Sequence, residues 1–349
     1  MTHQFSYFPY FPSKDFEAKI SRLHLFNFWH FKDQYIPDPS VRGKMEQICS
    51  LYVDSNLERI DEPTIAVIDD NYSFAYLTEE QIKDIQRYAL ALLFCSITEN
   101  DKHRAYTSEH FQLYRQNFSL TEDNIAYKTG SYSRVTVWES FDDAKLLRPS
   151  YVQTNAFQYR FDDKLFMAFA NMIDAHNDED DRIFKALEWV KHSFINAEEV
   201  PYESRPVLMA TAFEVLFDLP DFKKSDELAN RLEALLRVTG LPVIRKPNSF
   251  GKEKENTVYG WWARDFYDLR SKIVHGSSVT TQDFGNHNNV EHLKIAVMVM
   301  NFCLYRLLED RGYLVYKEPA PELRSVLKDF NYDKYSTERD LREVEALIN

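Results

Sequence analysis

Arg270 and His275 stand five residues apart in Phe266-Tyr267-Asp268-Leu269-Arg270-Ser271-Lys272-Ile273-Val274-His275-Gly276, at the end of an amphipathic run. Histidine titrates near neutral pH, and arginine is a permanent cation whose fork of donors suits phosphate. Together they could cleave RNA without a metal. An arginine followed by four to six residues and a histidine is expected roughly twice by chance at this composition, 21 arginines and 10 histidines in 349 residues. It does occur twice. The other pair, Arg104 and His110, follows the polar stretch Thr98-Glu99-Asn100-Asp101-Lys102-His103, which lacks apolar periodicity and reads as a loop.

The helix expected before His275 has an apolar face through Trp262, Phe266 and Leu269 and a left-handed stop at Gly276. On a straight helix, positions five apart lie about 140° from one another. The pair can meet on one phosphate only if the helix ends or kinks near His275, or if a second chain completes the site. Otherwise His275 is a histidine at a helix C-terminus and Arg270 pairs with a carboxylate. Glu214 lies in Val207-Leu208-Met209-Ala210-Thr211-Ala212-Phe213-Glu214-Val215-Leu216-Phe217, apolar nearly all round, so its charge needs a partner. Arg231 and Arg270 are the candidates, either in a structural ion pair or with Glu214 orienting a catalytic arginine.

Other chemistry is thin. His176-Asn177-Asp178-Glu179-Asp180-Asp181 lacks the glycine and distal glutamate of a calcium loop and reads as the cap of the following helix. His287 and His292 read as surface histidines at a helix start. Cys49, Cys95 and Cys303 are far apart and read as buried thiols. No phosphate-binding glycine loop and no Gly-x-Ser-x-Gly elbow occur. Neither a metal nor a cofactor is expected.

The length favours two domains, and the composition, 44% hydrophobic with 28% charged residues, is that of an ordered globular protein. A net charge of −13 argues against broad nucleic-acid binding. The local sign reverses around the Arg-His pair: Lys223 to Lys272 holds eleven Lys and Arg against seven Asp and Glu. Such a patch is compatible with an anionic substrate and is also an ordinary fluctuation. The first residues lack the pattern of a secretory signal, and Lys294, Asn301 and Arg306 interrupt the most apolar window, so no membrane span and a cytoplasmic location are expected.

To about residue 155 the pattern is mixed. Thr64 to Ile68 reads as a strand, Thr78 to Cys95 as a helix, and Asn124 to Tyr127 with Ser133 to Trp138 as a hairpin. The aromatic Phe5 to Phe11 segment reads as a packed arm. From Tyr159 the pattern turns helical, over Lys164 to His176, Asp181 to Asn196, Pro206 to Phe217, Ser225 to Val238, Thr257 to Val274 and Val290 to Arg311. Ser225-Asp226-Glu227 reads as an N-terminal cap, Gly240 and Pro242 as a stop, Arg245 to Asn256 as an exposed loop, and the tail from Glu322 as a docking helix. The expected fold class is α+β, with a mixed α/β domain over residues 1–155 and a helical domain over 156–349.

Three segments together resemble the Apea-like branch of the HEPN superfamily: Arg205 to Phe217 around Phe213-Glu214, Leu228-Ala229-Asn230-Arg231-Leu232, and the Tyr267 to Gly276 run. The resemblance implies an all-α antiparallel HEPN bundle that dimerises. In many members it implies a metal-independent endoribonuclease whose Arg-x4-6-His motif lies in a cleft between protomers. Carried over, Arg270 and His275 are the catalytic pair, with Glu214, Arg231 and Ser271 as supporting residues. Ser271 stands where nuclease members often carry Asn, Asp or His, and serine is a poorer group for orienting charge. The implied partners are an RNA substrate and a second copy of the chain. The implied setting is a toxin or phage-defence effector restrained by an N-terminal domain that senses a ligand or protein. A non-catalytic HEPN module for dimerisation or ligand binding is the alternative.

Overall fold

The aromatic segment near the start is an interior strand. A computed structural model of the chain describes residues 2–99, 108–121, 125–129, 134–138, 145–149, 152, 159–195, 201–236, 243–247, 253–284 and 292–314. Thr2–Phe8 forms β1, Glu17–Ile20 β2, Leu23–Asn27 β3, Tyr52–Val53 β4, Thr64–Ile68 β5 and Tyr114–Ser119 β6. Five of these make one sheet in the order β2-β3-β5-β1-β6, with every described pairing antiparallel. Position in the sheet explains the patterns. The interior strands β3 and β5 are buried at all five positions, whereas β2 on the edge alternates exposed with half-buried residues. The polar side chain of Gln4 inside β1 is satisfied, donating to Asn117 at 2.7 Å and accepting from the Leu77 amide at 3.3 Å.

Phe28–Tyr35 forms α1, Pro39–Cys49 α2, Glu79–Glu99 α3 and Asp163–Ala175 α4. Asn27 caps α1 through the His30 amide, Asp38 followed by Pro39 opens α2, and Thr78 and Gln81 bond each other's amides reciprocally at the start of α3. Phe5, Tyr7, Phe26, Phe28, Met45 and Ile65 belong to one buried cluster that joins the sheet to α1 and α2. Ile125–Thr129 and Arg134–Trp138 pair antiparallel as β7 and β8, the expected hairpin, and Leu146–Leu147 is β9, parallel to β4. Helix α4 packs on α3, so the first compact unit extends through Asn177, beyond the change of pattern near residue 155.

The second unit holds Asp181–Ser193 (α5), Ser204–Phe217 (α6), Lys224–Leu235 (α7), Ile244–Pro247 (β10), Glu253–Asn256 (β11), Val258–Val274 (α8), Thr281–Phe284 (α9) and His292–Asp310 (α10). Helix α6 packs on α5, α8 and α10, and α7 packs on α8. The architecture is therefore mixed α/β. Several local expectations need correction. Arg245 to Asn256 includes a two-stranded ribbon, because Arg245 lies opposite Glu255 and pairs with it at 2.6 Å. Asp226 does not cap α7, whose N-cap is Lys223 in the left-handed region. His292 is a buried residue of α10, with its ring 6.2 Å from that of Phe266. Asp180 precedes α5 without a capping bond, since its buried carboxylate accepts from Arg311 and, at 2.9 Å, from Tyr313. Arg104, Gly240, Pro242, His287 and the tail from Glu322 lie outside the described residues.

Cys49, Cys95 and Cys303 are buried, and burial pushes the Cys49 and Cys303 thiols above their ordinary range. Among the described residues no helix is long and apolar enough to cross a membrane.

Two buried histidines link this fold to pH. The ring of His24 on β3 lies 2.7 Å from the Tyr72 hydroxyl through Nδ1 and 3.4 Å from Glu17 through Nε2, and His110 Nδ1 lies 2.9 Å from the Tyr10 carbonyl. Burial lowers both pKa values below the ordinary imidazole value, against the opposing pull of Glu17 on His24 and of the Tyr10 carbonyl on His110. The unfolded chain then binds protons more readily than the folded one. Their contribution to stability is present above the unfolded imidazole pKa of about 6.5 and is lost as pH falls below it. Thermal unfolding should therefore show stability rising from about pH 5 to 7, and His24→Gln with His110→Gln should flatten that rise. An undiminished rise in the double variant would assign it to other groups.

Candidate active site

Helix α8 carries Arg270 and is capped by His275, and carboxylates from neighbouring elements fix it. At its start Thr257 caps the Tyr259 amide at 3.3 Å. Glu233 of α7 reaches across, and its Oε1 accepts from the Thr257 amide at 2.6 Å, the Thr257 hydroxyl at 2.8 Å and the Gly260 amide at 3.2 Å. A negative charge at a helix N-terminus is favourable in itself. The approach requires Gly260, because a Cβ there would stand 2.5 Å from Glu233 Oε1 and 2.9 Å from Asn256 Cβ. One turn further, Arg264 donates to Asp226 of α7, which also accepts from Lys254 of β11 at 2.5 Å.

The apolar face runs through buried Trp262, Phe266 and Leu269. Trp262 and Phe266 stack at 5.1 Å, and Phe213 of α6 meets both edge-on at 6.1 and 6.3 Å. Such packing sets the rotation of α8 about its axis and so aims the polar residues between.

Glu214 of α6 is the meeting point. Its Oε2 accepts from Lys224 at 2.6 Å, its Oε1 accepts from the Tyr267 hydroxyl at 2.7 Å, and Arg270 Nη2 lies 3.6 Å from the same Oε1. The side chains of Glu214 and Arg270 are 13% and 23% exposed, so the ion pair is largely shielded from water. Arg270 also lies over the Tyr267 ring, 5.4 Å from its centre. Of the two arginines considered for Glu214, Arg270 is the partner. Arg231 is exposed on α7, off the face that buries Leu228, Ala229 and Leu232. Lys224 and Tyr267 complete the set. Tyr267 was legible as lying three residues before Arg270 on one helical face, whereas Lys224 had no spacing signal.

His275 is the C-cap of α8, with φ −87° and ψ 5°, and its side chain is exposed. Gly276 follows at φ +67°. The Gly276 amide bonds the Ile273 carbonyl at 3.1 Å and the Ser277 amide bonds the Lys272 carbonyl at 2.9 Å, the paired bonds of a glycine-terminated helix. Helix α8 thus runs unbroken past Arg270 to Val274, so Arg270 and His275 stay about 140° apart around it and about 7.5 Å along it. One chain does not bring them onto one face. Ser271, four residues before His275, is on the histidine's face, and its carbonyl accepts the His275 amide at 3.0 Å. Beyond the cap, Lys272 pairs with Asp283 of α9 at 2.7 Å. That bond, with those from Thr280, holds the Asp283 carboxyl below its ordinary range.

Among the described residues no group of three or more His, Cys, Asp or Glu is arranged to hold a metal ion. No family model matches the chain, and neither a curated protein nor a solved structure gives a match.

The Glu233 cap makes a quantitative demand on its neighbour. Gly260→Ala should lower stability by about 1–3 kcal/mol, the usual cost of forcing an extra carbon into filled space. Denaturant unfolding measures it, and an unchanged midpoint with an unchanged slope would mean that the cap does not need the glycine.

Proposed function

We propose that the chain is an RNA endonuclease of the HEPN type, acting without a metal and serving as a toxin or phage-defence effector. The observation that carries this reading is the state of Arg270. It is held beside Glu214, with Nη2 3.6 Å from the carboxylate and a buried Nε that has no hydrogen-bond partner among the described residues. A guanidinium with unspent donors is suited to a phosphodiester. Glu214 with Lys224 and Arg270 amounts to one carboxylate and two cations, leaving one positive charge for an anion to balance.

The chemistry follows from the residue types. The ribose 2′-oxygen attacks phosphorus, the bond from phosphorus to the 5′-oxygen breaks, and the products are a 2′,3′-cyclic phosphate and a 5′-hydroxyl. One histidine removes the 2′-proton and another protonates the departing 5′-oxygen, because a single imidazole cannot do both at once. Arg270 stabilises the charge that builds on the phosphorane-like oxygens. Since one chain holds Arg270 and His275 on different faces of α8, the working site is a cleft between two copies related by a two-fold axis.

A second reading, a non-catalytic module for dimerisation or ligand binding, is favoured by the same unbroken helix and by Ser271 after the arginine. The two readings differ in a cleavage assay. Purified full-length chain, freed of any inhibitor, should cut RNA in excess chelator and leave 2′,3′-cyclic ends, and His275→Ala should slow cutting by about a hundredfold or more. A chain that binds RNA without cutting it supports the module, and cleavage that survives His275→Ala removes the proposed mechanism.

A further inference from the structure

Among the described residues Glu214 accepts hydrogen bonds from Lys224 and Tyr267, one on each oxygen, and none from Arg270. The Lys224 ammonium and the Tyr267 hydroxyl sit at 2.6 and 2.7 Å from its two oxygens. Arg270 Nη2, at 3.6 Å, is beyond hydrogen-bond reach, and Arg270 Nε is buried with no acceptor among the described residues. An arginine facing an uncommitted carboxylate closes on it in two parallel bonds, which would commit two of its five donors and turn one edge of the fork away from a phosphate. Here the nearer oxygen is already taken by a phenol from the arginine's own helix, and the farther one by a lysine at the start of α7. Burial and the neighbouring carboxylate push the Tyr267 pKa up, so the phenol stays a donor across the neutral range.

We propose that Tyr267 and Lys224 are positioning residues that keep Glu214 from closing on Arg270, so that the guanidinium is anchored by attraction while its donor fork remains open for one phosphodiester. The inference rests on reading Arg270 as the cation that receives phosphate. It adds a device for keeping that cation ready. It also distinguishes Tyr267 from a residue that merely packs, because the hydroxyl alone is assigned the role.

Tyr267→Phe removes that hydroxyl without changing charge. In full-length chain labelled with 15N-arginine, and with the Arg270 signals assigned through Arg270→Lys, the variant should move the Arg270 side-chain resonances to those of a carboxylate-bound guanidinium. Affinity for a 2′-deoxy-substituted, uncleavable RNA oligonucleotide should fall roughly tenfold, the worth of one charge-assisted hydrogen bond. Adding Glu214→Gln to Tyr267→Phe should restore affinity, which a purely structural role for Tyr267 would not produce. Lys224→Gln should move the same resonances in the same direction and serves if the phenylalanine variant does not fold. Unmoved Arg270 resonances in a folded variant, or no rescue by Glu214→Gln, would overturn the proposal. Resonances that move as expected, in a chain whose wild type binds no oligonucleotide, would support the positioning role and remove the RNA reading.

Discussion

A carboxylate in the middle of an apolar helix is the constraint on which the second unit is organised. Glu214 shares α6 with Met209, Phe213 and Leu216, all buried, and a charge in such company costs several kcal/mol unless it is paired and hydrogen-bonded. Partners must therefore be brought to it from other elements. Lys224 comes from the first turn of α7, reached through the left-handed Lys223, and Tyr267 and Arg270 come from α8. Because α6 packs against both helices, satisfying one charge also sets how they enter.

The same logic recurs along α8. Glu233 holds its first turn, Asp226 holds Arg264, Glu214 holds Tyr267 and attracts Arg270, and Asp283 holds Lys272. Each carboxylate comes from a different position on α6, α7 or α9, so the helix is restrained along its length. His275 differs. Its ring is exposed at the cap, and its backbone is held by the Ser271 carbonyl and the glycine-terminated turn. An anchored cation and an accessible imidazole thus diverge around one helix, and on the proposed reading a second copy of the chain completes the site.

Much of this was legible from pattern. Helices α3 to α8 and α10 follow apolar spacing of three and four, and the β7-β8 hairpin follows β-branched runs on either side of Lys128-Thr129-Gly130-Ser131. The pairing of Glu214 with Arg270 was legible because a buried carboxylate demands a cation. Arg231 met that demand equally well by composition, and only the rotation of α7, set by Leu228 and Leu232, turns it to solvent. The β10-β11 ribbon was hidden because its charged residues look like a solvated loop, and Arg245 finds Glu255 opposite it only once the register is known. Helix α4 misled for a different reason: its periodicity is plain, yet nothing in it tells which unit its buried face joins. Lys224 was invisible to spacing, since its path to Glu214 depends on the turn at Asp218 and Lys223, both at positive φ.

The account stands or falls on whether two histidines serve one cleft. Co-expressing wild-type and His275→Ala chains with different tags allows the mixed dimer to be purified and its RNA cleavage compared with that of the wild-type dimer. Loss of one proton-transfer group should leave the mixed dimer below about a tenth of wild-type activity. A mixed dimer with half the wild-type activity would mean that each chain cuts alone, and a chain that never dimerises would contradict the shared cleft outright.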